Sequence, residues 1–316
     1  MKTKLQYFPV TVFSMVMGLT GFTISLGKFY HLQWLPEIFY EAFLFLSFIL
    51  FIFLIILYGF KLIYFPEEVK SDFNHRIRIN FFSTISISLI LLSIAFYSYY
   101  PILSLLLWWI GTILHTILLF ITVRFWIDHN FEIHHFNPAW FIPAVGSILI
   151  PITGVDLLPA IILYFYFAVG FFFWIILFTI FLYRVIFHPQ LPGKFIPTFF
   201  ILLAPPAVGF ISYIRIAASW DTFSVFLLFM TYFFLVLLAF MYKSFRSLNY
   251  FLSWWAFTFP LSASTIASVV AYQVTKYAAF KYISFLLLII TTIAVTIVAW
   301  HTVIQIQKGE ICINED

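Results

Sequence analysis

Five times along this chain a hydrophobic stretch carrying Pro, Gly, Ser and Thr is followed by one built mostly from Phe, Leu and Ile. The clearest members of the first kind are residues 137–154, 195–214 and 251–270. Proline inside a helix removes a backbone hydrogen bond, and in a membrane the freed carbonyls need other protein groups or enclosed water. Plain apolar helices can face lipid. The alternation therefore predicts an inner ring of irregular helices wrapped by an outer ring of regular ones, with a pore on the axis.

The medium follows from composition. The chain is 64% hydrophobic and only 9% charged over 316 residues, whereas soluble domains carry roughly 25% charged residues. It is expected to be an all-α polytopic membrane protein. The apolar runs are about twenty residues long, twice the length of the strands in an outer-membrane barrel. They place helices near 7–27, 38–60, 79–98, 101–124, 138–153, 157–186, 195–217, 222–242, 248–272 and 281–306. The odd-numbered helices start near 7, 79, 138, 195 and 248; after the longer first interval the spacing is 53 to 59 residues, the length of one helical hairpin. The third helix is the weak member, with no Pro or Gly and only Ser83, Thr84, Ser86, Ser88 and Ser93. Loops are too short to fold alone, so residues 1–316 are expected to form a single transmembrane domain. Residues 1–28 imitate a secretory signal through Lys2, Lys4 and Ser25-Leu26-Gly27. The run is long for one and carries Gly18 and Gly21, which favours a retained first helix.

The N-terminus, the loops after even-numbered helices and the C-terminus hold Lys2, Lys4, Lys61, Lys70, Arg76, Arg78, Arg124, Arg184, Lys194, Lys243, Arg246 and Lys308. The other loops hold only Lys28, Arg215, Lys276 and Lys281. This asymmetry predicts both termini in the cytoplasm. It also accounts for the net charge of +4 without invoking a nucleic-acid partner. The lone Cys312 excludes an intrachain disulfide, and no cofactor is expected.

Three uncharged stretches bear on mechanism. No Asp, Glu, Lys or Arg occurs in 136–155, 195–214 or 247–272. Coupled carriers usually keep ionisable groups at membrane depth, so a neutral path suits passive permeation. Pro143, Pro151, Pro205, Pro206 and Pro260 fit helices facing an aqueous path, or kinks made for packing. Thr258, Ser262 and Thr265 share one face of the ninth helix and could line the path or bond across helices. Arg76, Arg78, Lys243 and Arg246 would concentrate anions at a cytoplasmic mouth, or simply fix topology.

Four motifs carry a family resemblance: Phe13-Ser-Met-Val-Met-Gly-Leu-Thr-Gly21, Asn137-Pro-Ala-Trp-Phe-Ile-Pro-Ala-Val-Gly146, Leu203-Ala-Pro-Pro-Ala-Val-Gly209 and Trp254-Trp-Ala-Phe-Thr-Phe-Pro260. Together they resemble the family of bacterial tellurite-resistance proteins, fungal malate and sulfite transporters, and plant guard-cell slow anion channels. The resemblance implies ten helices in five hairpins with quasi-fivefold symmetry, a homotrimer in the bacterial inner membrane, and small inorganic or organic anions as the permeating species. It also implies a pore gate from the ninth helix, which falls on Phe259. Candidate pore-lining or gate-adjacent residues are Ser14, Gly18, Ser86, Pro143, Gly146, Pro205, Pro206, Thr258, Pro260 and Ser262. Several relatives have glycine where this chain has Ser14, whose hydroxyl is expected to crowd Phe259 or meet a passing anion.

Two rival readings exist. A carrier for C4-dicarboxylates or sulfite would be expected to offer a basic fork at mid-membrane. The inner helices hold none, and Arg215 is the nearest candidate, or an interfacial snorkelling residue. A metal site at Asp128, His129, Glu132, His134 and His135 has unsuitable spacing for a helical histidine box, and His115 and His301 stand alone in outer-type helices. No metal is expected.

Overall fold

The computed structural model describes residues 2–246 and 248–313. Among them every regular element is helical. Ten apolar spans run in order: α1 (Val10–His31), α2 (Glu37–Tyr64), α3 (Arg78–Phe96), α4 (Pro101–Asp128), α5 (Pro138–Gly154), α6 (Ala160–Phe187), α7 (Gly193–Ala217), α8 (Thr222–Phe240), α9 (Leu252–Thr275) and α10 (Ala278–Lys308). A short polar helix, Pro66–Asn74, lies between α2 and α3. The protein is a multi-pass membrane protein.

The odd spans pack in a closed ring, α1 against α3, α3 against α5, α5 against α7, α7 against α9, and α9 back against α1. Each even span packs on its own odd partner and on the next odd span around the ring, with α10 meeting both α9 and α1. Burial follows parity. In the most apolar windows of α1, α3, α7 and α9, 72–89% of residues are buried, against 28–44% in the even spans. The inner and outer rings read from the alternation are the architecture observed.

Outer helices bury one narrow seam. In α2 it runs Tyr40, Leu44, Ser47, Phe51, Leu54, Tyr58 and Lys61; in α6 it runs Leu163, Phe167, Gly170, Trp174, Leu177, Phe181 and Arg184. Both step by four and three residues alternately, which keeps one helix face turned to the ring. The other faces carry Ile38, Phe53, Phe120, Ile161, Phe187 and Phe240, strongly exposed in the isolated chain. Such a continuous apolar belt is a liability in water and the normal lipid-facing surface of a bilayer protein.

Inner spans are irregular where the sequence dictates. Each begins with a 3-10 segment: Val10–Val12, Arg78–Phe82, Pro138–Trp140, Gly193–Leu203 and Leu252–Phe257. Pro205 and Pro260 follow within the first turn of the α-helix that succeeds it, where a missing N–H costs least. In α5 the prolines leave only Phe141–Val145 and Ile150–Gly154 as α-helix, separated by 3-10 winding over Gly146–Leu149. The steeper rise of 3-10 turns stretches α5 to about 29 Å, close to the ~30 Å hydrocarbon core despite its shortness.

Hydroxyls join the rings. Thr23 meets Ser47 at 3.0 Å, Ser93 meets Ser104 at 3.2 Å, Tyr232 meets Ser268 at 3.0 Å and Thr265 meets Thr291 at 3.2 Å. Each such contact contributes about 0.6 kcal/mol in a membrane. The inner ring itself relies on close backbone approach. A Cβ built on Gly18 of α1 would stand 1.9 Å from Thr258 Oγ1 and 2.9 Å from Thr258 Cβ on α9. Gly18→Ala is therefore expected to overpack the α1–α9 seam and destabilise the protein by about 1–3 kcal/mol, read as a lower melting temperature in detergent. An unchanged melt would show that the seam opens freely.

Candidate functional site

Two cavities lie in tandem along the ring axis. The first, about 390 Å³, is lined by the N-terminal halves of the odd spans. The second, about 410 Å³, is lined by their C-terminal halves. All five odd spans contribute to both, so the odd spans run parallel to one another and enclose both cavities. Among the described residues three line both: Leu149 of α5, Val208 of α7 and Phe259 of α9. They form an apolar septum between two vestibules.

Winding places this septum. Leu149 ends the 3-10 stretch of α5, and Phe259 is the second residue of α-helix after the 3-10 start of α9. Phe259 is half-buried, its partners unlike those of its neighbours. Phe257, two residues earlier, packs edge-on against Phe200, Phe245 and Trp254. Among the described residues no aromatic ring pairs with Phe259. Its ring lies instead on Gly21, where an added Cβ would be 3.0 Å from Phe259 Cδ2. Ser14 was the residue expected beside Phe259. Ser14 does line the first vestibule with Phe259, but its hydroxyl donates to Thr11 O at 2.6 Å and is tied back to its own turn.

The other anticipated pathway residues divide. Gly146, Pro205 and Pro260 line the first vestibule. Gly18 is filled by Thr258 and Trp255. Pro143 and Pro206 are buried in ring contacts and line neither vestibule. Ser86, Thr258 and Ser262 do not line the vestibules either; Thr258 and Ser262 lie beside Phe259 instead, Thr258 as its chain neighbour and Ser262 next to Gly21, on which the Phe259 ring rests. Ser86 Oγ lies 2.9 Å from His115 Nδ1 on α4; Thr258 donates to Trp255 O and Ser262 to Thr258 O. In a helix interior a hydroxyl satisfies itself on the preceding turn or on a neighbouring helix, which leaves the vestibule walls largely apolar.

Charge gathers at both ends. Arg78 and Lys194 line the first vestibule together with His75. Of the four basic residues proposed for this mouth only Arg78 is among the lining. Arg76 is exposed, 5.9 Å over the Phe131 ring and 3.2 Å from His135 Nε2; Lys243 and Arg246 are exposed on the short helix Tyr242–Arg246. Lys194 was missed because its loop position marked it only as a topology signal. Arg78 is held by Asp72, whose Oδ1 accepts from Nη1 at 3.1 Å while Oδ2 accepts from Lys61 Nζ at 2.6 Å. The second vestibule contains Lys28, His31 and Arg215. Arg215 Nε donates to Ile152 O at 3.0 Å and its Nη2 to Asp156. It is a wall of this vestibule, a position that the snorkelling alternative did not anticipate.

The histidine-rich loop separates into local contacts. Asp128 pairs with Arg124, His129 stacks on Phe125, and His134 Nδ1 lies 3.1 Å from Glu132. Burial, followed by the charges of His134 and Arg76, holds the His135 imidazole below its ordinary pKa. Among the described residues no three His, Cys, Asp or Glu side chains converge as metal ligands.

The family model described as voltage-dependent anion channel (SLAC1) matches residues 7–303. An uncharacterized transporter of Methanocaldococcus jannaschii is 27% identical over 312 residues, spanning 90% of this chain and 91% of its own. The S-type anion channel SLAH2 of Arabidopsis thaliana is 28% identical over 276 residues, spanning 83% of this chain and 52% of its own. The tellurite resistance protein TehA homolog of Haemophilus influenzae is 28% identical over 264 residues, spanning 81% and 78%.

Proposed function

The chain belongs to the SLAC1 voltage-dependent anion channel family, and from that premise we propose that it is an anion channel passing small monovalent anions passively. In this reading the five odd spans form a quasi-fivefold pore with Phe259 as its gate, three chains assemble as a trimer, and both termini lie in the cytoplasm of a bacterial cell. The observation that carries it is the pair of basic-ended vestibules meeting at one apolar septum. An ion crossing that septum must shed water against Leu149, Val208 and Phe259, so the closed path is a barrier by dehydration. The vestibules on either side have room for a hydrated ion, and the basic residues at their ends raise the local anion concentration.

A carrier is the reading from which this one must be separated. Saturable exchange needs a substrate site that reorganises between two accessible states, whereas here the two vestibules meet at an apolar septum of Leu149, Val208 and Phe259 that offers a substrate no polar side chain. In liposomes holding the purified protein, current is expected to reverse at the chloride or nitrate equilibrium potential. Saturable malate or sulfite exchange without current would replace the channel reading with the carrier one.

A further inference from the structure

Lys28 stands out among the cations of the second vestibule. It lies one turn before the end of α1 and lines the cavity wall. Among the described residues its ammonium has no hydrogen bond or ion pair, and the charge that acts on it is the like charge of Arg215. Arg215 differs: its guanidinium is paired with Asp156 and tied to Ile152 O. Among the described residues no Asp or Glu lines this vestibule. A half-enclosed ammonium without a counter-charge is costly, and a cavity of about 410 Å³ in front of it leaves room for a partner that the protein does not supply.

We propose that the second vestibule is a binding site for one monovalent inorganic anion, such as nitrate or chloride, held by Lys28 with Arg215 beside it. Asp156 cancels Arg215, so the site presents one uncompensated positive charge. A monoanion neutralises it. A dianion such as sulfate leaves one negative charge in a partly desolvated cavity, so it is disfavoured. Gln273 and Ser98, also on the wall, add neutral polar groups that ask for no further charge. This deepens the anion-pathway reading and rests on it for its role: the site loads or unloads the pore on the far side of Phe259.

The test has a binding arm and a current arm. In detergent, nitrate added against gluconate is expected to raise the melting temperature of the unaltered protein. Lys28→Gln is expected to raise the half-maximal nitrate concentration roughly tenfold, the equivalent of one partly screened ion pair. Lys28→Arg should restore it. Sulfate should stabilise less than nitrate at equal ionic strength. An unchanged nitrate midpoint in a well-folded Lys28→Gln protein overturns the site, and sulfate outperforming nitrate overturns its monovalent character. The current arm places Lys28→Gln on Phe259→Ala. Reduced current at low nitrate supplied from the Lys28 side, recovering at high nitrate, supports the site. If Phe259→Ala conducts and Lys28 has no effect on binding or current, the site fails and the pore stands. If nitrate binding depends on Lys28 but Phe259→Ala carries no current, the site stands and the channel reading fails.

Discussion

Phe259→Ala is expected to raise anion current at fixed voltage by at least about tenfold, because each 1.4 kcal/mol removed from a barrier is worth that factor. The ring is the largest side chain shared by the two vestibules; Leu149 and Val208 are the others. Removing it joins cavities of about 390 and 410 Å³ and lets water follow an ion across the septum. The substitution should also be tolerated. A fully buried Phe→Ala change costs about 3–5 kcal/mol, but Phe259 is half-buried, pairs with no other described ring and rests on the bare backbone of Gly21. Its contribution to packing is therefore smaller than that of Phe257, which three aromatic rings clamp. Planar-bilayer recording of Phe259→Ala and Phe257→Ala distinguishes a gate from ordinary filling. Only the first should gain current. Unchanged conductance in a monodisperse Phe259→Ala protein removes the gate assignment.

How this architecture could be read from sequence differs between ring and pathway. The rings were legible because lipid and water impose opposite demands: α6 could be built mostly from Phe, Leu and Ile, while α7 carried Pro205-Pro206 and Gly209. The seams on the outer helices were much less visible. In α2 the buried Leu44 and Phe51 are chemically the same as the lipid-facing Phe45 and Ile52, so hydropathy has no contrast to display, and along the seam only Ser47 and Lys61 break the row of apolar and aromatic side chains. Hydroxyls in the inner spans stayed ambiguous for a related reason. Thr258, Ser262 and Thr265 share a helix face, but periodicity does not say whether that face meets a pore or a neighbouring helix. Thr265 meets Thr291. At the septum, the four motifs pointed to Phe259, whereas Leu149 and Val208 needed three-dimensional adjacency. So did the partnership of Lys28 and Arg215, which are 187 residues apart in sequence.

Asp72→Ala is expected to destabilise the basic end of the protein by about 3–5 kcal/mol, the usual effect of stranding one member of a buried ion pair. Lys61 is 3% exposed, the last position of the α2 seam; its ammonium donates to Asp72 and to Phe8 O at 2.9 Å and lies 5.8 Å over the Tyr58 ring. Removing Asp72 leaves that charge with a single carbonyl acceptor in a nearly dry site. It also frees the side of Arg78 that Asp72 holds at the first vestibule. One substitution thus loosens α2, the helix Pro66–Asn74 and the start of α3 together. The size of the loss reflects the stranded lysine rather than the net worth of the pair, and a double change separates the two. Lys61→Met with Asp72→Asn removes both charges at nearly the original volumes and leaves Arg78 an amide oxygen, so it should melt closer to the unaltered protein than Asp72→Ala does, a coupling beyond the few tenths of a kcal/mol typical of independent sites. Added salt should rescue Asp72→Ala poorly, because buried charges are screened weakly. If Asp72→Ala melts like the unaltered protein in detergent, Lys61 has reached water or another acceptor, and the triad does not hold the mouth. If the double variant melts no higher than Asp72→Ala, the loss comes from packing around the helix Pro66–Asn74 rather than from an uncompensated charge.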